Sequence, residues 1–260
     1  MNSVFHKALW EQRRSLPGWS LGIGVLIVLE SALWPSMRTM SGLDAYLAEF
    51  PAALKELFAI DRMSSGAGFL DAELFSLMLP LMFLAAGISL GARLIAGEQE
   101  AGTLDLLLVT PLTTVRLIAE TALALVTTMA VLALVTWASV MAGELAFDLG
   151  IAPGDAAAAS LAMGLLGSEF GLLTLVAGAF TGRRGVALGF GTAVALAAYV
   201  LYVGGLFVDG LSGAAAWSPF HQAVGDGALW GGFDASFSWL ALPPALALLL
   251  AALLWGRRDL

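Results

Sequence analysis

Cysteine is absent from the 260 residues, and charge is scarce: Asp, Glu, Lys and Arg make up 12% of the chain, against about a quarter in a soluble domain. The first absence excludes a disulfide framework, a thiolate nucleophile and a cysteine metal site. The second excludes a water-facing globule, because 59% hydrophobic residues would expose more hydrocarbon than an aqueous surface tolerates. Histidine is limited to His6 and His221, with no His-Glu-x-x-His pattern, so a zinc site lacks ligands at workable spacing. Gly-x-Ser-x-Gly occurs only inside apolar runs, at 18–22 and 87–91, with no strand-to-helix turn to make it an elbow, and Gly-x-x-x-x-Gly-Lys-Ser/Thr does not occur. The chain therefore carries no nucleophile elbow and no phosphate-cradling loop, and any nucleotide chemistry has to come from another polypeptide. No contiguous basic patch exists to hold nucleic acid. Gly22-x-Gly24 and Gly189-x-Gly191 lack the third glycine of a dinucleotide fingerprint and lie in apolar runs, which reads as helix packing.

What the chain has is long apolar runs. Six stretches reach the roughly 20 residues needed to cross a hydrocarbon core of about 30 Å: 18–37, 74–94, 117–143, 156–182, 186–208 and 239–256. Their Leu, Ala, Val and Gly do not alternate in polarity, which excludes a β-barrel. The fold class is therefore an all-α membrane protein of six transmembrane helices in one domain, residues 1–260. Residues 1–17 precede the first span and place Phe5, Leu9 and Leu16 at helical spacing against His6, Lys7, Glu11, Arg13 and Arg14. This is the pattern of an amphipathic interfacial helix, with Pro17-Gly18 as the elbow, and the alternative is a frayed basic tail. With the N- and C-termini in the cytoplasm of a cell membrane, nine of the twelve basic residues face inward and twelve of the twenty acids face outward. Arg183 and Arg184, between the fourth and fifth spans, then enforce topology.

Two outer loops exceed what a connector needs. Residues 38–73 show an amphipathic pattern broken at Pro51, which predicts one or two short helices that cap or gate the outer mouth. Residues 209–238, rich in Gly, Ser and Trp, read as an irregular surface loop, with a re-entrant turn as the alternative. Two acids fall well inside spans, away from their cytoplasmic ends. Burying an ionised carboxylate near the bilayer centre costs at least about 2.5 kcal/mol, so Glu30 and Glu169 need a partner, a cavity or a proton. Glu169, midway along its span, is a candidate for the substrate path or a subunit contact, the alternative being a hydrogen bond from a Ser or Thr hydroxyl. Glu30 lies near the outer boundary, within snorkelling reach of water, and its structural reading is favoured.

The inner segment after the second span is the most informative. Glu98 and Glu100 precede Gly102-Thr103, and Thr103 can cap a short helix through Leu104 and Leu106 to Leu108 that Pro111 terminates. An apolar-faced helix at that surface needs lipid or a protein groove to cover it.

The run Gly97-Glu98-Gln99-Glu100-Ala101-Gly102-Thr103-Leu104, with Leu106-Leu107-Leu108 and Pro111-Leu112, resembles the segment after the second span in permease subunits of type-2 ABC exporters. The likeness extends to the six-span layout, the N-terminal elbow and the Arg257-Arg258-Asp259 terminus. It implies that Glu98, Glu100, Gly102, Thr103, Leu104 and Pro111 form a coupling element seated in a cleft of an ATPase partner. It implies further that ATP and Mg bind that ABC ATPase subunit, present in two copies, beside a second permease copy, and that this chain is itself no enzyme. One departure is that Arg116 is followed by Glu120, which makes the start of the third span less basic than in many relatives. Two rivals remain at this level. One is an ion- or proton-coupled secondary carrier with Glu30 and Glu169 as coupling acids, although no inverted repeat is evident. The other is a non-transporting membrane anchor or sensor for an ATPase.

Overall fold

The computed structural model describes residues 3–39, 49–57, 62–102, 114–225, 227–230, 232–233 and 236–255, and among them every regular element is helical. In chain order these are α1 (Val4–Gln12), α2 (Ser15–Met37), α3 (Ala52–Leu57), α4 (Gly66–Leu70), α5 (Met78–Ala92), α6 (Glu98–Glu100), α7 (Thr114–Phe147), α8 (Pro153–Thr181), α9 (Arg184–Phe207), α10 (Ser212–Ala215), α11 (Pro219–Val224) and α12 (Ser236–Trp255). Wide π-helical turns at Asp71–Phe75 and Arg93–Gly97 flank α5, so helical backbone runs with one break from 66 to 100. The break is at Leu77, where φ is −146°, and α5 starts just beyond it. Pro80 thus falls in a first turn, where the missing N–H has no intrahelical partner to lose. Five helical stretches are long and apolar enough to cross a membrane, namely α2, residues 66–100, α7, α8 and α9. With 20 residues, α12 has the length of a sixth.

At the centre, α8 packs on α5, α7, α9 and α12. Its seam with α5 is made of glycine. A Cβ at Gly87 would collide with the Gly167 carbonyl, one at Gly91 with the Gly171 carbonyl, and one at Gly171 would come within 2.9 Å of the Gly87 oxygen. Two Gly-x-x-x-Gly pairs, Gly87/Gly91 and Gly167/Gly171, therefore let the backbones touch, the close approach that substitutes for hydrophobic driving force inside lipid. On α2 the buried residues Ile23, Ile27, Ser31 and Trp34 form one stripe at helical spacing, and Gly143 of α7 accepts Ser31 because it has no side chain. Of the glycines expected to pack, Gly24 and Gly191 do, against Ser139 and Thr174, while Gly189 faces open space.

Two expectations need correction, and a third gains detail. The bend between α1 and α2 lies at Arg13–Arg14 and not at Pro17-Gly18, because proline in a first helical turn starts a helix as readily as it ends one. The buried face of α1 (Val4, Ala8, Gln12) rests on protein: Phe5 N–H donates to Glu120 at 3.1 Å and the Thr128 hydroxyl donates to Gln12 at 2.7 Å. Those two contacts advance in the same direction on both helices, so α1 follows α7 for about two turns. Finally, the described residues of the 209–238 segment do not form an irregular surface loop. Ser218 donates to the Ala198 carbonyl at 2.8 Å, nine residues before the end of α9, so the chain dips back along α9 by about 14 Å. Phe220 at the bottom is fully buried against Phe170 and Tyr199, their ring centroids 6.0 and 5.2 Å away. The weighed alternative, a re-entrant turn, is what forms.

Candidate functional site

Two places carry the residues singled out by sequence. The first is the end of the bundle holding α1. Beyond the π turn at Arg93–Gly97, α6 presents Glu98 and Glu100, and Gly102 takes a left-handed φ of +68°, open to glycine and strained by about 1–2 kcal/mol for a residue with Cβ. Glu98 Oε2 pairs with Lys7 Nζ of α1 at 2.5 Å, and Lys7 also reaches Glu11 at 3.3 Å. Glu100 Oε1 accepts the Arg184 main-chain N–H at 2.8 Å, at the turn between α8 and α9. That turn is made by Gly182 in the left-handed region (φ +62°), where a Cβ would strike the Gln99 side chain.

Thr103, Leu104 and Pro111, with the short helix expected between them, lie outside the described residues. Where the chain is described again, at α7, Arg116 Nε donates to Glu120 Oε1 at 2.8 Å and Glu120 Oε2 accepts the Phe5 N–H. The departure noted in the sequence thus has a local explanation: Arg116 is engaged by an acid one turn away. Both stems of the 103–113 segment are held by the same short helix, one through Lys7 and the other through Phe5. Sequence reasoning gave Lys7 only a topological part and did not see Glu120 as a brace. The signal was available in the i, i+4 spacing of Arg116 and Glu120.

The second place is Glu169. It sits between Gly167 and Gly171 on α8, about 200° round the helix from each, so the face opposite the glycine seam carries it. There it lines a cavity of about 390 Å³ between α7, α8 and α12, walled by Ile118, Ala122, Leu172, Pro243 and Leu246 among others. Its Oε2 is buried and has no hydrogen-bond partner among the described residues, so the Ser or Thr donor weighed in the sequence is not found there. No residue of α2 lines this cavity, so Glu30 and Glu169 do not share it. Glu30 lies instead within electrostatic reach of Glu73.

One buried acid went unnoticed. Asp71, counted among the outer charges, is 2% exposed and accepts the Leu229 N–H at 3.3 Å, pinning the end of the re-entrant loop, with Arg62 near enough to offset its charge. Among the described residues no three His, Asp or Glu side chains are placed to hold a metal ion.

Long apolar helices, a glycine-sealed core and a charged end with braced stems define a multi-pass α-helical membrane protein. The family model described as ABC-2 family transporter protein matches residues 3–224, which is most of the chain, and the chain belongs to that family as a permease subunit of an ABC transporter. No curated protein and no solved structure matches it.

Proposed function

We propose that this chain is the transmembrane subunit of an ATP-driven exporter, with both termini cytoplasmic and with ATP and Mg bound by a separate ATPase that performs the hydrolysis. Membership of the family implies an ABC ATPase partner. Two permease copies, most simply identical, and two ATPase subunits complete the assembly, since six spans are half of the usual twelve. The observation that carries the reading is the bracing of both stems of the 103–113 segment onto α1, with Glu100 tied to the α8–α9 turn. A push delivered there by a closing ATPase dimer would reach α1, α5, α7 and α9 together, as rigid-body alternating access requires. Glu98, Glu100, Gly102, Thr103, Leu104 and Pro111 form the transmission element in this reading, and Glu169 contacts the substrate or its path. Glu30 is structural. A secondary carrier coupled through both acids is less well supported, because the cavity that Glu169 lines takes no residue of α2.

The test reads ATPase stimulation by the reconstituted permease. Glu98→Lys with Glu100→Lys is expected to abolish stimulation, since it places two cations against Lys7 and the α9 start. A charge exchange, Lys7→Glu with Glu98→Lys, restores the internal pair and should recover most of it. Unchanged stimulation in the double lysine variant, or no ATPase retained by the wild-type permease, would defeat the reading.

A further inference from the structure

Where α1 turns into α2, a cavity of about 110 Å³ opens against α5, α7 and the first residue of α9. Two arginines, Arg93 and Arg184, line it from separate helices, and no acid does. Of the other cations at this end of the bundle, Lys7 lies between Glu11 and Glu98, Arg116 is paired with Glu120, and Arg13 covers the Trp10 ring at 4.1 Å, while Arg14 and Arg183 do not line the cavity. The guanidinia of Arg93 and Arg184 have no ion pair among the described residues. Glu100 takes the main-chain N–H of Arg184 and makes no ion pair with its side chain. Trp19 is also on the wall.

The floor is polar but neutral. Gln12 and Thr128, 2% and 5% exposed, bond each other at 2.7 Å, and one N–H of Gln12 Nε2 goes to the Ala8 carbonyl at 3.2 Å. The charged donors on the wall are thus two guanidinia, a set that fits an anion with several oxygens, which arginine forks hold bidentately. Position narrows the choice. Three charge-free runs meet the cavity at their ends, at Arg14, Arg93 and Arg184, which sets it at the border between hydrocarbon and water, with Leu16 and Leu132 on its apolar side. Basic pockets between helices at that depth suit lipid headgroups.

We propose that this pocket binds one phosphate-bearing anion, the headgroup of an acidic phospholipid, between Arg93 and Arg184. The bound group ties the end of α5 to the start of α9, immediately behind the braces made by Glu98 and Glu100. Its binding does not depend on the transport reading.

The full-length chain, stripped of lipid in neutral detergent, is titrated with phosphatidylglycerol and followed by native mass spectrometry. One lipid per chain is expected to bind tightly, and phosphatidylcholine, whose phosphate carries its own cation, more weakly. Arg93→Gln with Arg184→Gln should weaken the tight site by about tenfold or more, the scale of a lost charge-assisted contact. Arg93→Lys with Arg184→Lys should fall between, which keeps the test informative if the glutamine pair folds poorly. A control, Arg14→Gln with Arg183→Gln, removes the same charge at the same end without touching the cavity and should leave affinity unchanged. Equal binding by the Arg93/Arg184 glutamine variant, or equal loss in the control, overturns the site. Displacement of the lipid by millimolar inorganic phosphate overturns the lipid assignment in favour of the free ion.

Discussion

The two faces of α8 are built on opposite plans. One face presents Gly167 and Gly171 to Gly87 and Gly91 of α5, with backbone on backbone and no room for a methyl group. The other presents Glu169 to a cavity of about 390 Å³ walled by aliphatic side chains of α7 and α12. A dry glycine seam has one geometry and transmits displacement as a rigid unit. A loosely filled wall can repack, as sites that admit ligands must. A helix joined this way to α5, and through α5 to the braced charged end, is suited to carry motion on one side while accommodating an occupant on the other.

That contrast can be broken at three points of decreasing effect. Gly167→Leu drives a side chain into the Phe83 carbonyl and Met129 sulfur, which lie 2.9 and 3.0 Å from an added Cβ. It should cost roughly 3 kcal/mol or more, visible as loss of monodisperse protein or a large drop in thermal midpoint. On the cavity side, Glu169→Gln should leave the midpoint nearly unchanged while lowering transport in vesicles about tenfold, the loss of one charge-assisted contact. Undiminished transport would make Glu169 structural. Smallest of all, Ala122→Met adds bulk to the cavity wall and should shift stability by less than about 1 kcal/mol in either direction, because volume is available to receive it. If Ala122→Met proved as damaging as Gly167→Leu, the two faces would not differ as described.

Much of this was legible in the chain. Charge-free runs of membrane length marked the helices because lipid offers no partner for exposed backbone polar groups, and only helix or barrel solves that. The Gly97–Leu104 run located the charged end and its acids. The loop after α9 was misread because Gly, Ser and Trp give no period, and only the burial of Phe220 between Phe170 and Tyr199 reveals why the chain turns inward. Asp71 looked like one more outer acid until its bond to Leu229 placed it under that loop.

The long apolar passes, their helical state and the scarcity of charge within them follow from sequence alone, since they depend on chain-local hydrophobicity and backbone hydrogen bonding. Which glycine meets which carbonyl, which way Glu169 points and what Lys7 and Glu120 hold were decided only by the tertiary structure. The glycine, Lys7–Glu98 and Phe5–Glu120 contacts join residues 80 to 115 positions apart, and no local preference encodes a contact made across the bundle.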